Sequence, residues 1–93
     1  MSEAARDVLK ALGARVRELR LDRGLSQEQV GERAELHRNE IGVMERGETN
    51  TSFVNLLRIC RALDVTPSEL LKPFGLSSLR NLPPKRPSGR SEK

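Results

Sequence analysis

Apolar residues in the first part of the chain recur at helical spacing: Ala5, Leu9, Leu12, Val16 and Leu19 step by four, three, four and three. That spacing gathers them on one face and predicts a helix over residues 4–23. Arg6, Lys10, Arg17 and Arg23 fall on the other face. Gly24 follows, a residue that reaches the left-handed conformation cheaply and so ends a helix.

Two shorter helices come next, each with its own start signal. Ser26 is placed to cap the N–H of Gln29, and Gln29 to reach back to Ser26, while Leu25 and Val30 occupy the staple positions. This predicts a helix to about Ala34, with Val30 and Ala34 facing inward. A helix so short is marginal alone and needs packing to hold it. Glu35 and Leu36 form the turn. Leu36 and Ile41 make a second staple pair, which puts His37 at the N-cap and Glu40 at the third helical position. Histidine is a weaker cap than Ser or Thr. The third helix then turns Ile41, Met44 and Glu45 inward, leaves Arg38, Asn39, Gly42, Val43 and Arg46 outward, and ends at Gly47.

After a polar loop, Ser52 caps a fourth helix whose predicted buried stripe is Phe53, Leu56, Leu57, Cys60 and Leu63. Thr66-Pro67-Ser68-Glu69 repeats the start grammar, with Val65 and Leu70 as staple, and predicts a fifth helix over residues 67–72. Past Pro73 the pattern degrades. Leu76, Leu79 and Leu82 extend an apolar surface beyond Phe74, and from Arg80 onward the chain is Pro-rich, basic and aperiodic, the composition of a disordered segment. No strand candidate appears. The expectation is an all-α, compact five-helix domain over residues 1–79, with a helix-turn-helix motif at 26–47 and a basic tail at 80–93. In such a motif the second helix can lie in a DNA major groove.

Composition narrows this further. An apolar fraction of 35% and an aromatic fraction of 2% limit the core to aliphatics plus Phe53 and Phe74, enough if the helices pack closely. No apolar run is long enough for a membrane span, and the first ten residues lack the apolar stretch of a signal peptide, so a cytoplasmic location is expected. Cys60 is the only cysteine and His37 the only histidine. That excludes a Cys/His metal cage and an internal disulfide, and leaves Cys60 as a small core residue. The net charge of +4 is not spread over the chain: residues 1–79 hold twelve basic and twelve acidic side chains, and residues 80–93 hold five against one. Binding of DNA by the folded part must rest on placed groups rather than on net charge.

The run from Leu12 to Leu71, with RELR, RGLSQE, ERG, LL.I..ALDV and ELL at their spacings, resembles the lambda-repressor-like, Cro-type helix-turn-helix family. The resemblance implies that the second helix of the motif enters the major groove. It implies DNA contacts at Gln27, His37, Arg38, Asn39 and Val43, and a largely buried salt bridge between Arg20 and Glu45. The chemistry fits: Arg can grip guanine O6 and N7, Asn can grip adenine N6 and N7, and Val43 can meet a thymine methyl. Gln27, at a helix N-terminus, is placed to reach a phosphate. The chain departs from the family at Gly31, where Ala is usual, at Glu35, where a turn glycine is usual, and at Thr51, a frequent proline.

A module this small reads few bases, so a two-fold dimer on a palindrome is expected. The apolar set Leu71, Phe74, Leu76 and Leu79 is the expected dimer surface, unless these residues cover their own subunit. Two roles fit the basic tail, phosphate or minor-groove contact and plain solvation. The leading expectation is a bacterial or phage sequence-specific transcriptional regulator, repressor or small controller protein, acting on double-stranded DNA without cofactor, metal or small-molecule ligand. The alternative is an antitoxin or adaptor that chiefly binds a partner protein and regulates its own gene. An enzyme lacks support: no metal cage, no Ser/His/Asp set and no phosphate-binding glycine loop are present.

Overall fold

The computed structural model describes residues 3–82, and every regular element among them is helical. The order is α1 (Glu3–Asp22), α2 (Gln27–Ala34), α3 (Arg38–Glu45), α4 (Phe53–Leu63), α5 (Pro67–Leu70) and α6 (Leu76–Arg80). The all-α expectation holds. The helix count does not, because Leu76 to Arg80 forms a sixth helix where only an apolar surface was expected. Gly75 opens it without a side-chain cap, and it buries none of its residues. It crosses the expected tail boundary at residue 80, while residues 83–93, most of that tail, lie outside the described residues.

All four expected caps form as hydrogen bonds, that of His37 at the start of α3 among them. The Gln29 N–H donates to Ser26 Oγ at 3.0 Å and the Ser26 N–H to Gln29 Oε1 at 2.8 Å, a complete capping box. Ser52 accepts from the Asn55 N–H at 3.1 Å, and Thr66 from the Glu69 N–H at 3.1 Å. Four helix ends share one closing device, a left-handed residue followed by a bond reaching five residues back. Gly24 and Gly47 supply the positive φ after α1 and α3. After α2 and α4 the same conformation falls on Glu35 (φ 62°) and Asp64 (φ 57°), with Leu36 N–H donating to Gly31 O at 2.8 Å and Val65 N–H to Cys60 O at 3.0 Å.

The core draws on five helices. Val16, Val30, Ile41, Ile59, Leu63 and Leu70 are its fully buried large side chains, each worth about 2 kcal/mol on removal from water. α2 packs on α3 and α4, and α1 lies against α3. The approach of α1 to α3 is set by Gly13, where a Cβ would stand 2.3 Å from the Met44 carbonyl oxygen. Arg15 of α1 and Arg23, just past its end, tie down distant helix ends. Arg15 donates to the carbonyls of Glu69 (2.8 Å) and Leu70 (3.2 Å), and Arg23 to that of Leu63, cations on the carbonyl ends of α5 and α4.

The buried stripe of α4 differs from the predicted one. Leu56, Ile59, Cys60, Ala62 and Leu63 face the core, whereas Phe53 and Leu57 face solvent. Eight of the eleven residues of this helix are apolar, so spacing alone admits more than one phase, and the position of α2 selects it. The core is therefore aliphatic without a phenylalanine: Phe53 is exposed, and Phe74 is half-buried in a groove against Ala4, Val8 and Ala11 of α1. Gly42 is a further correction, buried rather than outward, because Gln27 and Arg46 close over it. Cys60 is a buried core residue, and burial pushes its thiol pKa up, away from the reactive thiolate.

Candidate nucleic-acid interface

α3 and its supports form the site. At its start His37 sits in extended conformation and accepts the Asn39 N–H on Nδ1 at 3.0 Å, while the His37 N–H donates to Glu40 Oε2 at 3.0 Å. The histidine thus caps after all, in a reciprocal box with Glu40. Because Nδ1 accepts, the proton of the neutral ring sits on Nε2, a donor on an exposed side chain.

Arg38 and Asn39 follow on the first turn, both exposed. Among the described residues no hydrogen bond or ion pair holds either side chain. One turn on, Val43 is half-buried and shares a cleft of about 380 Å³ with Leu36, Asn39, Asn50 and Asn55, so α3 and the start of α4 border one continuous surface of mixed character. On the far side His37 and Arg38 border an open cleft with Glu28 and Glu32. Acidic groups therefore flank the start of α3, and its chemistry rests on single placed donors.

The rear of α3 is fixed by a buried network. Arg20 of α1 meets Glu45 in a bidentate pair, Nε to Oε2 at 2.6 Å and Nη2 to Oε1 at 2.9 Å, and its Nη1 donates to the Leu25 carbonyl at 2.9 Å. The hydrogen bond to Glu45, with its charge, raises the Arg20 pKa against the opposing effect of burial, so the guanidinium stays charged inside the protein. Gln27 joins this network, its amide donating to Glu45 Oε1 at 3.0 Å. That role was missed in the sequence, which pointed Gln27 at a phosphate. One amide N–H is used on Glu45, and the second N–H and the carbonyl oxygen complete its donor and acceptor inventory.

The structure thus brings Gln27, Arg20 and Glu45 together at the rear of α3 and presents His37, Arg38 and Asn39 at its front, with Val43 between. The other expected set, Leu71, Phe74, Leu76 and Leu79, lies at the end of the described chain, away from these residues. Among the described residues no cluster of His, Cys, Asp or Glu could hold a metal ion, and no helix is long and apolar enough to cross a membrane.

Residues 11–72 match the family described as a helix-turn-helix domain. The chain belongs to that family. Within it the match spans the Leu12–Leu71 run and both motif helices, consistent with the lambda-repressor-like, Cro-type form. The chain is 42% identical over 60 residues to the control protein C.BamHI of Bacillus amyloliquefaciens, covering 63% of this chain and 74% of that one. It is 38% identical over 72 residues to the control protein C.SmaI of Serratia marcescens, covering 77% and 86%. The crystal structure of the restriction-modification controller protein C.AhdI from Aeromonas hydrophila superposes with a TM-score of 0.65 at 47% identity, over 69% of this chain and 96% of that one.

Proposed function

We propose that the chain is a sequence-specific DNA-binding transcriptional regulator of the small controller type. It acts as a dimer on a palindromic operator, with α3 in the major groove. The observation that carries the reading is the front of α3: Arg38 and Asn39 stand exposed and unpaired on the first turn of a helix whose own ends are fully capped and whose rear is locked by Arg20 and Glu45. Arg38 reads guanine, Asn39 reads adenine, and Val43 meets a thymine methyl. His37 Nε2 and the free N–H of Gln27 donate to phosphate oxygens and set the register. The likeness to the control proteins supports the same reading. A regulator of this kind works in the cytoplasm, at the nucleoid, and responds through its own concentration and operator cooperativity.

Selection of bound sites from a random DNA pool tests it. A palindrome with half-sites about 34 Å apart, one helical turn, is expected. Absence of any enriched sequence overturns it.

A further inference from the structure

Many cations of the described chain are already committed. Arg15, Arg20 and Arg23 hold backbone carbonyls or the Glu45 carboxylate, and Arg58 and Arg61 hold Glu35. Glu28 and Glu32 flank the start of α3. A protein held on DNA must still neutralise phosphates.

Arg6 and Lys10, on the first turns of α1, are exposed. Among the described residues no hydrogen bond or ion pair holds either side chain. They line one open cleft of about 410 Å³ with Arg46, Gly47 and Glu48 at the end of α3. Gly47 makes the meeting possible: a Cβ there would stand 2.7 Å from the Lys10 backbone, so α1 crosses the end of α3 only over a glycine. The cleft also joins the interface. Arg46 Nη1 and Gln27 Oε1 lie over Gly42, 3.2 and 3.4 Å from where its Cβ would be. Gln27, Arg46, Lys10 and Arg6 therefore follow one another along a single edge. Glu48 accepts from Arg46 Nε at 3.0 Å, both side chains being exposed, which leaves three cations against one carboxylate in the cleft. Asp7 lines the groove beside Phe74 instead, and Glu3 lines no part of the cleft.

We infer that Arg6 and Lys10 form a phosphate-binding edge that grips the DNA backbone beside the base pairs read by α3. The inference rests on the DNA-binding reading above. Both residues precede residues 11–72, the stretch matched to the helix-turn-helix family, so the contact is one that the match does not carry.

Phosphate suits these groups better than base edges do. They stand on neighbouring turns, about 6 Å apart along the helix axis, and each long stem can reach a phosphate of the same strand. They lie at the end of α3, whereas Arg38 and Asn39 stand on its first turn. Phosphate contacts fix register and orientation without reading sequence. Here they hold the far end of α3 while the near end meets the bases. Full exposure is no obstacle, because such contacts draw on counterion release rather than on burial.

Arg6→Gln combined with Lys10→Gln removes both charges at exposed helical positions that glutamine tolerates. Titration of operator DNA over a salt series reads the result. Each phosphate contact contributes about 0.9 to the slope of log affinity against log salt. The double variant is expected to lose roughly 1.8 of that slope per bound copy, equivalent to about tenfold in affinity between about 50 and 200 mM salt. The loss should be alike on operator and on random DNA, with the preferred sequence and the circular dichroism unchanged. Arg6→Lys combined with Lys10→Arg keeps both charges and is expected to keep the wild-type slope. Arg33→Gln, an exposed cation of α2, should leave the slope as it is. Neutral methylphosphonate linkages, placed in turn at the phosphates flanking a half-site, should weaken wild type at one or two positions and the double variant at neither. An unchanged slope in the double variant, a loss no larger than that of Arg33→Gln, or a loss confined to one operator base pair overturns the inference. A wild type that binds every DNA sequence alike overturns the proposed function instead, and the slopes still decide for or against the edge.

Discussion

Arg20 of α1 and Glu45 of α3 face each other in a buried bidentate pair, twenty-five positions apart in the chain and joined by two hydrogen bonds of 2.6 and 2.9 Å. The pair aims α3. Removing one partner leaves the other charge buried without compensation, at a cost of about 3 kcal/mol, a fall of roughly 15 °C in Tm at this chain length. Glu45→Ala is expected to show that fall, and Glu28→Ala, an exposed carboxylate, to stay within about 0.5 kcal/mol of wild type. Replacing both partners together, Arg20→Met with Glu45→Leu, is expected to cost less than the sum of the single changes. Equal small effects of Glu45→Ala and Glu28→Ala in thermal melts sink this account.

Gly31 gives a prediction opposite to helix propensity. Alanine within a helix is worth about 1 kcal/mol over glycine, but a Cβ at Gly31 would lie 2.6 Å from the Leu36 carbonyl oxygen and 3.3 Å from the Arg38 nitrogen. Both are backbone, in the turn that leads into α3, so the clash cannot be relieved by swinging a side chain. Gly31→Ala is expected to lose about 1–2 kcal/mol and to weaken DNA binding by tilting α3. Denaturant titration decides between the two effects, and a stabilised variant would show that the turn yields freely.

Glu35 carries a cost that its neighbours partly offset. A side chain in the left-handed region costs about 1–2 kcal/mol, against exposed ion pairs to Arg58 and Arg61 worth under about 1 kcal/mol each. Glu35→Gly and Glu35→Ala lose those pairs equally, so their difference isolates the backbone. The glycine variant is expected to be the more stable by about 1 kcal/mol. Matching midpoints in chemical denaturation would place the strain elsewhere.

What could be read from the sequence is what short-range hydrogen bonding dictates. The caps at Ser26, His37, Ser52 and Thr66 and the stops at Gly24 and Gly47 are made by hydrogen bonds spanning at most five residues, so neighbouring residue types specify them. The features that escaped depend on which helix arrives from elsewhere. Arg15 and Arg23 reach carbonyls fifty-five and forty positions away, and Gly13 matters only because α3 passes over it. α4 carries more apolar residues than one core face can cover. Its spacing therefore did not say that Phe53 and Leu57 would be left outside while Ile59 and Ala62 went in. At the site, the residue types at the front of α3 were legible and the tie of Gln27 to Glu45 was not. A glutamine at a helix start looks the same whether it faces phosphate or a buried carboxylate.

Arg38 supplies the most direct test of the interface. A bidentate contact to guanine is worth about 1–3 kcal/mol at one base pair, whereas a phosphate contact weakens binding alike on every sequence. Arg38→Ala is therefore expected to lose about tenfold to a hundredfold in affinity for the selected operator, and to discriminate poorly at one position of each half-site. On an operator with that guanine replaced, wild type and variant should bind nearly equally, because the contact is already gone. Titrating both proteins on both operators, at one salt concentration, measures the coupling. A uniform loss across all operators would make Arg38 a phosphate ligand and move the reading of guanine to another residue of α3.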